Sequence, residues 1–315
     1  MLEVLKGFKV LDLSHRLPGP LGAHCLSALG AQVTKLEDRD FGDPFKDGFF
    51  KEMDPSFSNW YKELNLYKEV QVHSFKEESF QEILHASIKE ADIIILGLPE
   101  KLLAKFSLTE EEIRKNTDFM EKAFIKMAGS RNKTGGMHDL NVLAKSGLLE
   151  LFLSQEVQDN IIAPPFLPIG GISYGSFLAS AALATLLKAK REKSAIIELF
   201  TLEEAVETIL KPFFSQELKE TGQRSFLHNG RYPCYNLYPL KDSGVLALAA
   251  LEPKYWQRFC ALLDLELSDL DRFHHEDDRV FCLIKDRLKG LSQAQAEDLF
   301  HNKDCCVDIV AKENH

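Results

Sequence analysis

The sharpest chemical pair in the sequence is a histidine followed directly by an aspartate, His138-Asp139. An imidazole has a pKa near neutrality, which makes it the natural general base at physiological pH. The same dipeptide also has a structural interpretation, because Asp139 could cap a helix predicted to start at Leu140. Another acidic residue, Glu252, precedes Pro253 in a pattern that equally starts a helix. From these residues alone, both interpretations stay open.

Two common nucleotide-binding motifs are missing from the sequence. The sequence has no Gly-x-Gly-x-x-Gly after its first strand pattern and no Gly-Lys-Ser/Thr loop, which argues against a standard dinucleotide site and a P-loop NTPase. The run from His274 to Asp278 is interpreted as a solvated loop, and no metal site is predicted. None of the six cysteines belongs to a Cys-x-x-Cys pair, so they are predicted to be reduced thiols.

The composition describes a globular protein. The chain has 315 residues, 45% hydrophobic and 27% charged, and at roughly 150 residues per domain it predicts about two domains. A net charge of −10 argues against a nucleic-acid partner but permits a local basic pocket for one anionic ligand. The first residues lack a signal-peptide pattern, and no apolar run of about 18 residues occurs, which predicts a cytoplasmic protein without a membrane partner.

The first 200 residues alternate strand and helix patterns, which predicts an α/β fold with a parallel open sheet. Pro18-Gly19-Pro20 is expected to form a turn, and residues 196–225 a polar helical arm. Two short apolar runs around a Lys241–Gly244 turn predict a hairpin in a second, α+β domain. The predicted division is a large domain over residues 1–198, a linker arm over 199–228 and a small domain over 229–315.

An ordered series of short motifs runs through the chain. They are Lys9 to Ser14, Pro18-Gly19-Pro20, Leu29 to Glu37, Gly42-Asp43, Asn65 to Lys68, Ala91-Asp92-Ile93, His138 to Asn141, Ser146-Gly147, Tyr235 to Tyr238, Lys241-Asp242 and Ala250 to Trp256. In this order, the set resembles the family III CoA-transferases of the CaiB/BaiF type. Within them it is most similar to the 2-methylacyl-CoA racemase branch, from residue 6 to about residue 310.

The resemblance implies a Rossmann-like large domain with a parallel sheet, joined to a smaller α+β domain. It also implies a homodimer in which two chains are threaded through each other. The family's C-terminal segment returns to the large domain, and here that return is expected to be short.

The resemblance further implies an acyl-CoA ligand, with coenzyme A as part of the substrate rather than a tightly bound cofactor. Six residues fall at or beside family CoA-contact positions: Pro18, Gly19, Lys35, Arg39, Lys76 and Lys105. Several cations suit phosphate groups, and a turn at a helix start offers backbone groups to them. The alternative is that these are ordinary surface lysines and arginines.

For catalysis, the resemblance implies that His138 removes the α-proton of an acyl-CoA thioester, that Asp139 belongs to the same site and that Glu252 orients the histidine. The family carries a catalytic aspartate where this chain has Gly171. Glycine cannot transfer a proton, so α-proton exchange is expected at one face of the carbon only. Two alternatives remain: CoA transfer between carboxylic acids through another carboxylate, and a non-catalytic acyl-CoA-binding relative.

Overall fold

A computed structural model describes residues 2–132, 136–149, 165, 167–213 and 227–310. The chain divides into two compact units, Met1–Gln216 and Glu217–His315. The point of division falls inside the predicted arm, and residues 214–226 of that arm lie outside the described residues.

The first unit is built on a six-stranded parallel sheet in the order β3-β2-β1-β4-β5-β6. Its strands are β1 Lys9–Leu13, β2 Gln32–Asp38, β3 Lys68–His73, β4 Ile93–Leu96, β5 Ala123–Ala128 and β6 Ile196–Thr201. The central strand β4 is a continuous apolar run because helices cover both faces of the sheet. The predicted α/β class is confirmed. Since the strand order reverses between β1 and β4, the carboxyl edge beside them is where such sheets bind ligands.

Nine α-helices are described in the first unit. They are α1 Pro18–Ala28, α2 Phe49–Met53, α3 Ser56–Asn65, α4 Ser79–Glu90, α5 Glu100–Lys105, α6 Glu110–Lys115, α7 Asp139–Ser146, α8 Ile169–Glu192 and α9 Leu202–Ile209. Residues of α1, α7, α8 and α9 form one apolar core with the sheet, and residues of α4, α5 and α6 form another. Helix α8 is long and apolar enough to cross a membrane, but 61% of its most apolar window is buried inside the fold. That burial is typical of a core helix.

The second unit is a three-stranded antiparallel sheet with helices. Its elements are β7 Tyr235–Pro239, β8 Val245–Ala249, α10 Pro253–Leu262, α11 Arg279–Leu288, α12 Gln293–Phe300 and β9 Val307–Ile309. The predicted hairpin is confirmed as β7 paired with β8, and β9 pairs with the other edge of β8. Fully buried Trp256 anchors the core and donates from Nε1 to the Ser268 carbonyl at 2.9 Å.

Two sequence-based expectations are wrong. Pro18-Gly19-Pro20 is not a turn before a helix but the first turn of α1, where proline fits because that turn needs no intrahelical N–H donor. Residues 196–201 are not the start of a helical arm but the edge strand β6. Their apolar and β-branched composition favours a strand, and helix α9 begins only where Thr201 and Glu204 form a capping box.

Candidate active site

A buried ion pair joins the carboxyl end of β1 to the amino end of β3. Asp12 on β1 lies 2.9 Å from the Lys68 ammonium of β3, and both side chains are fully buried. The same ammonium donates to the carbonyl of Pro20 at 2.9 Å, in the first turn of α1. Lys68 therefore fixes the start of α1 to the edge of the sheet.

Lys35, a predicted CoA contact, belongs to this buried network. Its side chain has no exposed surface, and its ammonium lies 3.6 Å from the Asp43 carboxylate. It also donates to the carbonyl of Ser14. In this conformation Lys35 therefore holds the β1–α1 connection in place through the Ser14 carbonyl. Its ammonium does not reach the surface where a ligand would lie.

Pro18 and Gly19, also predicted CoA contacts, form the first turn of α1 directly above this network. A Cβ atom on Gly19 would lie 2.1 Å from the Ser14 Oγ, so only glycine lets the two segments approach so closely. Among the described residues no side chain caps this helix N-terminus. The positive end of the helix dipole therefore lies at the carboxyl edge of the sheet without a carboxylate on it.

The other three predicted CoA contacts gather around the loop that follows β3. The backbone of Arg39 donates to the His73 carbonyl at 2.7 Å, and the Lys105 ammonium donates to the Phe75 carbonyl at 2.7 Å, with Lys76 next in the chain. All three cations are exposed.

Two of these cations have acidic neighbours. Arg39 lies 3.5 Å from Glu77, and Lys76 lies 3.3 Å from Asp40. Such exposed pairs contribute little stability, so they can rearrange around a phosphate.

Two residues of the β1–α1 connection, His15 and Arg16, were not predicted from the sequence to belong to the site. Burial, together with the charges of Arg16 and Lys35, lowers the pKa of His15 to about 4, so its imidazole is neutral at pH 7. Arg16 has a left-handed backbone with φ of 66°, and its Nε is buried without a hydrogen bond to the described residues. The only available signal was their position directly before the Pro18-Gly19-Pro20 motif.

His138 and Asp139 stand at the start of α7, on the same edge of the sheet. His138 is exposed, and its backbone N–H donates to the Asn141 side chain at 3.0 Å. The Asp139 carboxylate accepts the backbone N–H of Gly171 at 2.7 Å, in the first turn of α8. The alternative interpretation of Asp139 as a cap for its own helix is therefore wrong, because its carboxylate caps a helix that begins thirty residues later.

Gly171 links this pair to the start of α1. A Cβ atom on Gly171 would lie 2.8 Å from the Leu17 side chain and 3.8 Å from Asp139 Oδ1. Leu17 directly precedes Pro18, so the predicted catalytic pair and the predicted CoA turn meet at this point. Burial raises the pKa of Asp139, although the backbone N–H groups of Gly171 and Gly170 oppose the change.

Glu252 lies in the second unit, as the residue before α10. Its backbone carbonyl accepts the N–H groups of Tyr255 at 3.0 Å and Trp256 at 3.1 Å. The helix start expected at Glu252-Pro253 is confirmed, and its orienting role towards His138 stays a prediction.

A serine pattern and a tyrosine near the start of α8 have structural roles. Residues 171–175 read Gly-x-Ser-x-Gly, the pattern of a hydrolase nucleophile. It lies inside a helix rather than at a strand-to-helix turn, and the Ser173 hydroxyl donates to the Ile169 carbonyl at 2.7 Å. The Tyr174 hydroxyl, on a side chain only 2% exposed, donates to the Phe200 carbonyl at 2.6 Å.

Among the described residues, no group of three His, Cys, Asp or Glu side chains is placed to hold a metal ion. In the predicted solvated loop, His274 lies 2.9 Å from Asp277 and 3.0 Å from Glu276. All six cysteines carry free thiols.

The fold and this edge define an α/β protein whose doubly wound sheet gathers cations, a helix start and a His-Asp pair at the carboxyl ends of its strands. A family model described as CoA-transferase family III matches residues 5–314, and the chain belongs to that family. At the level of the family, it is an acyl-CoA-handling enzyme.

Curated relatives include a CoA-transferase and a racemase. The chain is 25% identical to (R)-2-hydroxy-4-methylpentanoate CoA-transferase of Clostridioides difficile, over 93% of this chain and 74% of that protein. It is 23% identical to alpha-methylacyl-CoA racemase of Homo sapiens, over 97% and 77% respectively. Among solved structures, a CAIB/BAIF family protein from Brucella suis matches with a TM-score of 0.69 at 18% identity, over 94% of this chain and 81% of that chain, which supports the fold.

Proposed function

We propose that the protein catalyses proton transfer at the α-carbon of an acyl-CoA thioester, with His138 as the base. The observation that carries the proposal is that the start of α7, the start of α8 and the start of α1 meet around Gly171. One ligand could therefore place its thioester beside His138-Asp139 while its nucleotide lies along the carboxyl edge.

The nucleotide end would lie at Arg39, Lys76 and Lys105. All three are exposed cations around one loop, and coenzyme A carries a 3′-phosphate and a diphosphate that need several charge-assisted hydrogen bonds. The uncapped N-terminus of α1 adds a favourable dipole for a phosphate.

In the proposed step, the Cα–H bond breaks and its proton moves to an imidazole nitrogen of His138. The bonding electron pair moves into the thioester as an enolate, and a proton then returns to carbon. His138 is exposed at the head of α7, where a substrate can reach it. A positioned general base of this kind contributes about 10²–10⁴-fold to the rate.

Exchange of the α-proton tests this function directly. The protein is incubated in deuterated water with a panel of 2-methylacyl-CoA thioesters, and incorporation of deuterium is followed by mass spectrometry. We expect incorporation by the unmodified protein and its loss in His138→Ala, whereas absence of exchange with every thioester would contradict the proposal.

Ligand binding is tested separately by calorimetry. Coenzyme A should bind more tightly than its dephospho form, and Lys76→Ala should reduce that difference. The matched control is Lys115→Ala on α6, which removes an equally exposed lysine paired with Glu111. If coenzyme A does not bind at millimolar concentration, the acyl-CoA proposal fails.

A second candidate function is CoA transfer between carboxylic acids. It is favoured by the half-buried Asp139 carboxylate beside position 171, since transfer through an acyl anhydride needs a carboxylate nucleophile. Formation of a covalent acyl-enzyme on Asp139, trapped by hydroxylamine, would distinguish transfer from proton exchange. A protein that binds coenzyme A and shows neither reaction would be the non-catalytic relative.

We also propose that the protein works as the interlocked homodimer of its family, with Glu252 orienting His138. Membership of the family supports this assembly. Light scattering at micromolar concentration should report a dimer, and a result of monomer alone would contradict it.

A further inference from the structure

We infer that Asp139 is the second acid-base group of this site and does the work of the aspartate that position 171 lacks. The inference rests on the proposed function, because it assigns the proton donor for the face of the α-carbon opposite His138. It replaces the expectation that exchange occurs at one face only.

The geometry at the start of α8 carries the inference. Oδ1 of Asp139 accepts the Gly171 N–H at 2.7 Å and lies 3.8 Å from where a Cβ of residue 171 would stand. A carboxylate carried by residue 171 would therefore be an immediate neighbour of the Asp139 carboxylate. The chain has a carboxylate at this point, and it comes from α7 instead of α8.

The other polar side chains described near this helix start already have internal partners. Tyr174 and Ser173, 2% and 7% exposed, both donate to backbone carbonyls. By contrast, the hydrogen bonds described for the Asp139 side chain come from backbone N–H groups of α8, and no described residue forms an ion pair with it. A carboxylate without a cationic partner can alternate between its charged and neutral forms.

Burial favours the neutral form of Asp139 and raises its pKa. A carboxyl group shifted in this direction holds a proton at a higher pH than an exposed aspartate. Asp139 is also half-buried rather than enclosed, so a substrate can contact it.

The complete reaction balances without another reactant. His138 takes the proton from one face of Cα, and the electron pair enters the thioester as an enolate. The protonated Asp139 carboxyl then gives its O–H proton to the opposite face, which forms a new Cα–H bond and leaves a carboxylate. Solvent removes the proton from His138 and returns one to Asp139, so the net result is inversion at the α-carbon.

Asp139→Asn separates the proposed chemistry from the structural cap. The amide oxygen of asparagine can still accept the Gly171 N–H, but the side chain has no carboxyl proton to give. We expect inversion of a 2-methylacyl-CoA to fall at least about 100-fold. Deuterium should still enter one epimer through His138, with its configuration retained.

A double variant moves the carboxylate back to α8. In Asp139→Asn/Gly171→Asp the new Cβ atom must displace the flexible end of Leu17, and inversion should recover in part. Asp139→Ser is a second probe should asparagine disturb the fold, because serine also caps helix starts and carries no carboxyl group. Circular dichroism and the melting temperature verify that each variant is folded.

The measured outcomes are distinct. Exchange with inversion in the unmodified protein, followed by exchange without inversion in Asp139→Asn, supports the inference. Exchange without inversion in the unmodified protein, or undiminished inversion in Asp139→Asn and Asp139→Ser, overturns it and leaves the proposed function standing. Absence of any exchange in the unmodified protein overturns the proposed function itself.

Discussion

Asp12 and Asp139 lie on the same edge of the same sheet, and the protein holds them in opposite ways. Asp12 is fully buried, 2.9 Å from the Lys68 ammonium, and it accepts hydrogen bonds from Ser14. Burial alone would raise the pKa of Asp12, but the ammonium groups of Lys68 and Lys35 outweigh it and hold the pKa below its ordinary value. Asp139 is held by backbone N–H groups instead, and burial raises its pKa.

The difference in their hydrogen-bond and ion-pair partners distinguishes a carboxylate that stabilises the fold from one that can take part in chemistry. An ammonium partner keeps a buried carboxylate charged at every physiological pH, so Asp12 can join strands but cannot supply a proton. Backbone amides stabilise a carboxylate less, and because no described cation pairs with Asp139, its neutral form stays accessible. The comparison assigns stability to the network around Asp12 and agrees with the proposed proton transfer by the pair at the start of α7.

The largest expected effect comes from breaking the Asp12 network. Lys68→Met removes the ammonium and leaves Asp12 as an uncompensated buried charge, which should lower the free energy of unfolding by about 3–5 kcal/mol. The same change frees the Pro20 carbonyl at the start of α1. Urea denaturation followed by circular dichroism measures the loss.

The matched control is Lys76→Met, which removes a lysine from an exposed pair with Asp40. Exposed pairs contribute about 0–1 kcal/mol, so the control should unfold almost like the unmodified protein. Equal losses in the two variants would show that the buried network does not carry the stability assigned to it.

The burial of His15 beside this network also predicts that the stability of the protein depends on pH. His15 has a pKa of about 4 in the folded protein against an ordinary value of 6.5, since burial and the charges of Arg16 and Lys35 disfavour its protonation. Above pH 6.5 the histidine is neutral in both states and stability is unaffected. As pH falls from 6.5 to 4, the unfolded chain takes up a proton on this histidine before the folded protein does. The free energy of unfolding therefore falls by about 3 kcal/mol over this interval.

His15→Gln removes the titrating group and isolates this contribution from that of the carboxylates. The difference in unfolding free energy between the two proteins should change between pH 6.5 and pH 4 and be constant above that interval. A constant difference over the whole range would mean that His15 titrates normally in the folded protein.

Sequence patterns predicted the strands with strong local signals. The run Ile93-Ile94-Ile95 is β-branched throughout, which favours a strand, and it forms β4, because a strand buried on both faces needs no alternation. Ile196–Thr201 was missed because its apolar residues are followed at once by the acidic start of α9, so the two elements read as one polar helix. Local periodicity cannot separate elements that meet without a turn.

The site was predictable in its residue types but not in their roles. Lys35 is predicted as a CoA contact, and nothing near it in sequence indicates that Asp43 folds back against it. The contact between Asp139 and Gly171 joins residues 32 positions apart. A helix cap supplied from another helix leaves no spacing signal in the sequence, so only the folded chain reveals that a carboxylate remains at this helix start.

The smallest expected effect concerns the cap itself. Asp139→Ala removes the acceptor for the Gly171 N–H and the negative charge at the positive end of α8, and should lower the free energy of unfolding by about 0.5–2 kcal/mol. Asp139→Asn keeps the acceptor and should cost only a few tenths of a kcal/mol. Comparing both variants by urea denaturation at pH 7 separates the hydrogen bond from the charge. A loss as large as that of Lys68→Met would make Asp139 a structural carboxylate like Asp12, and the distinction between the two regions would fail.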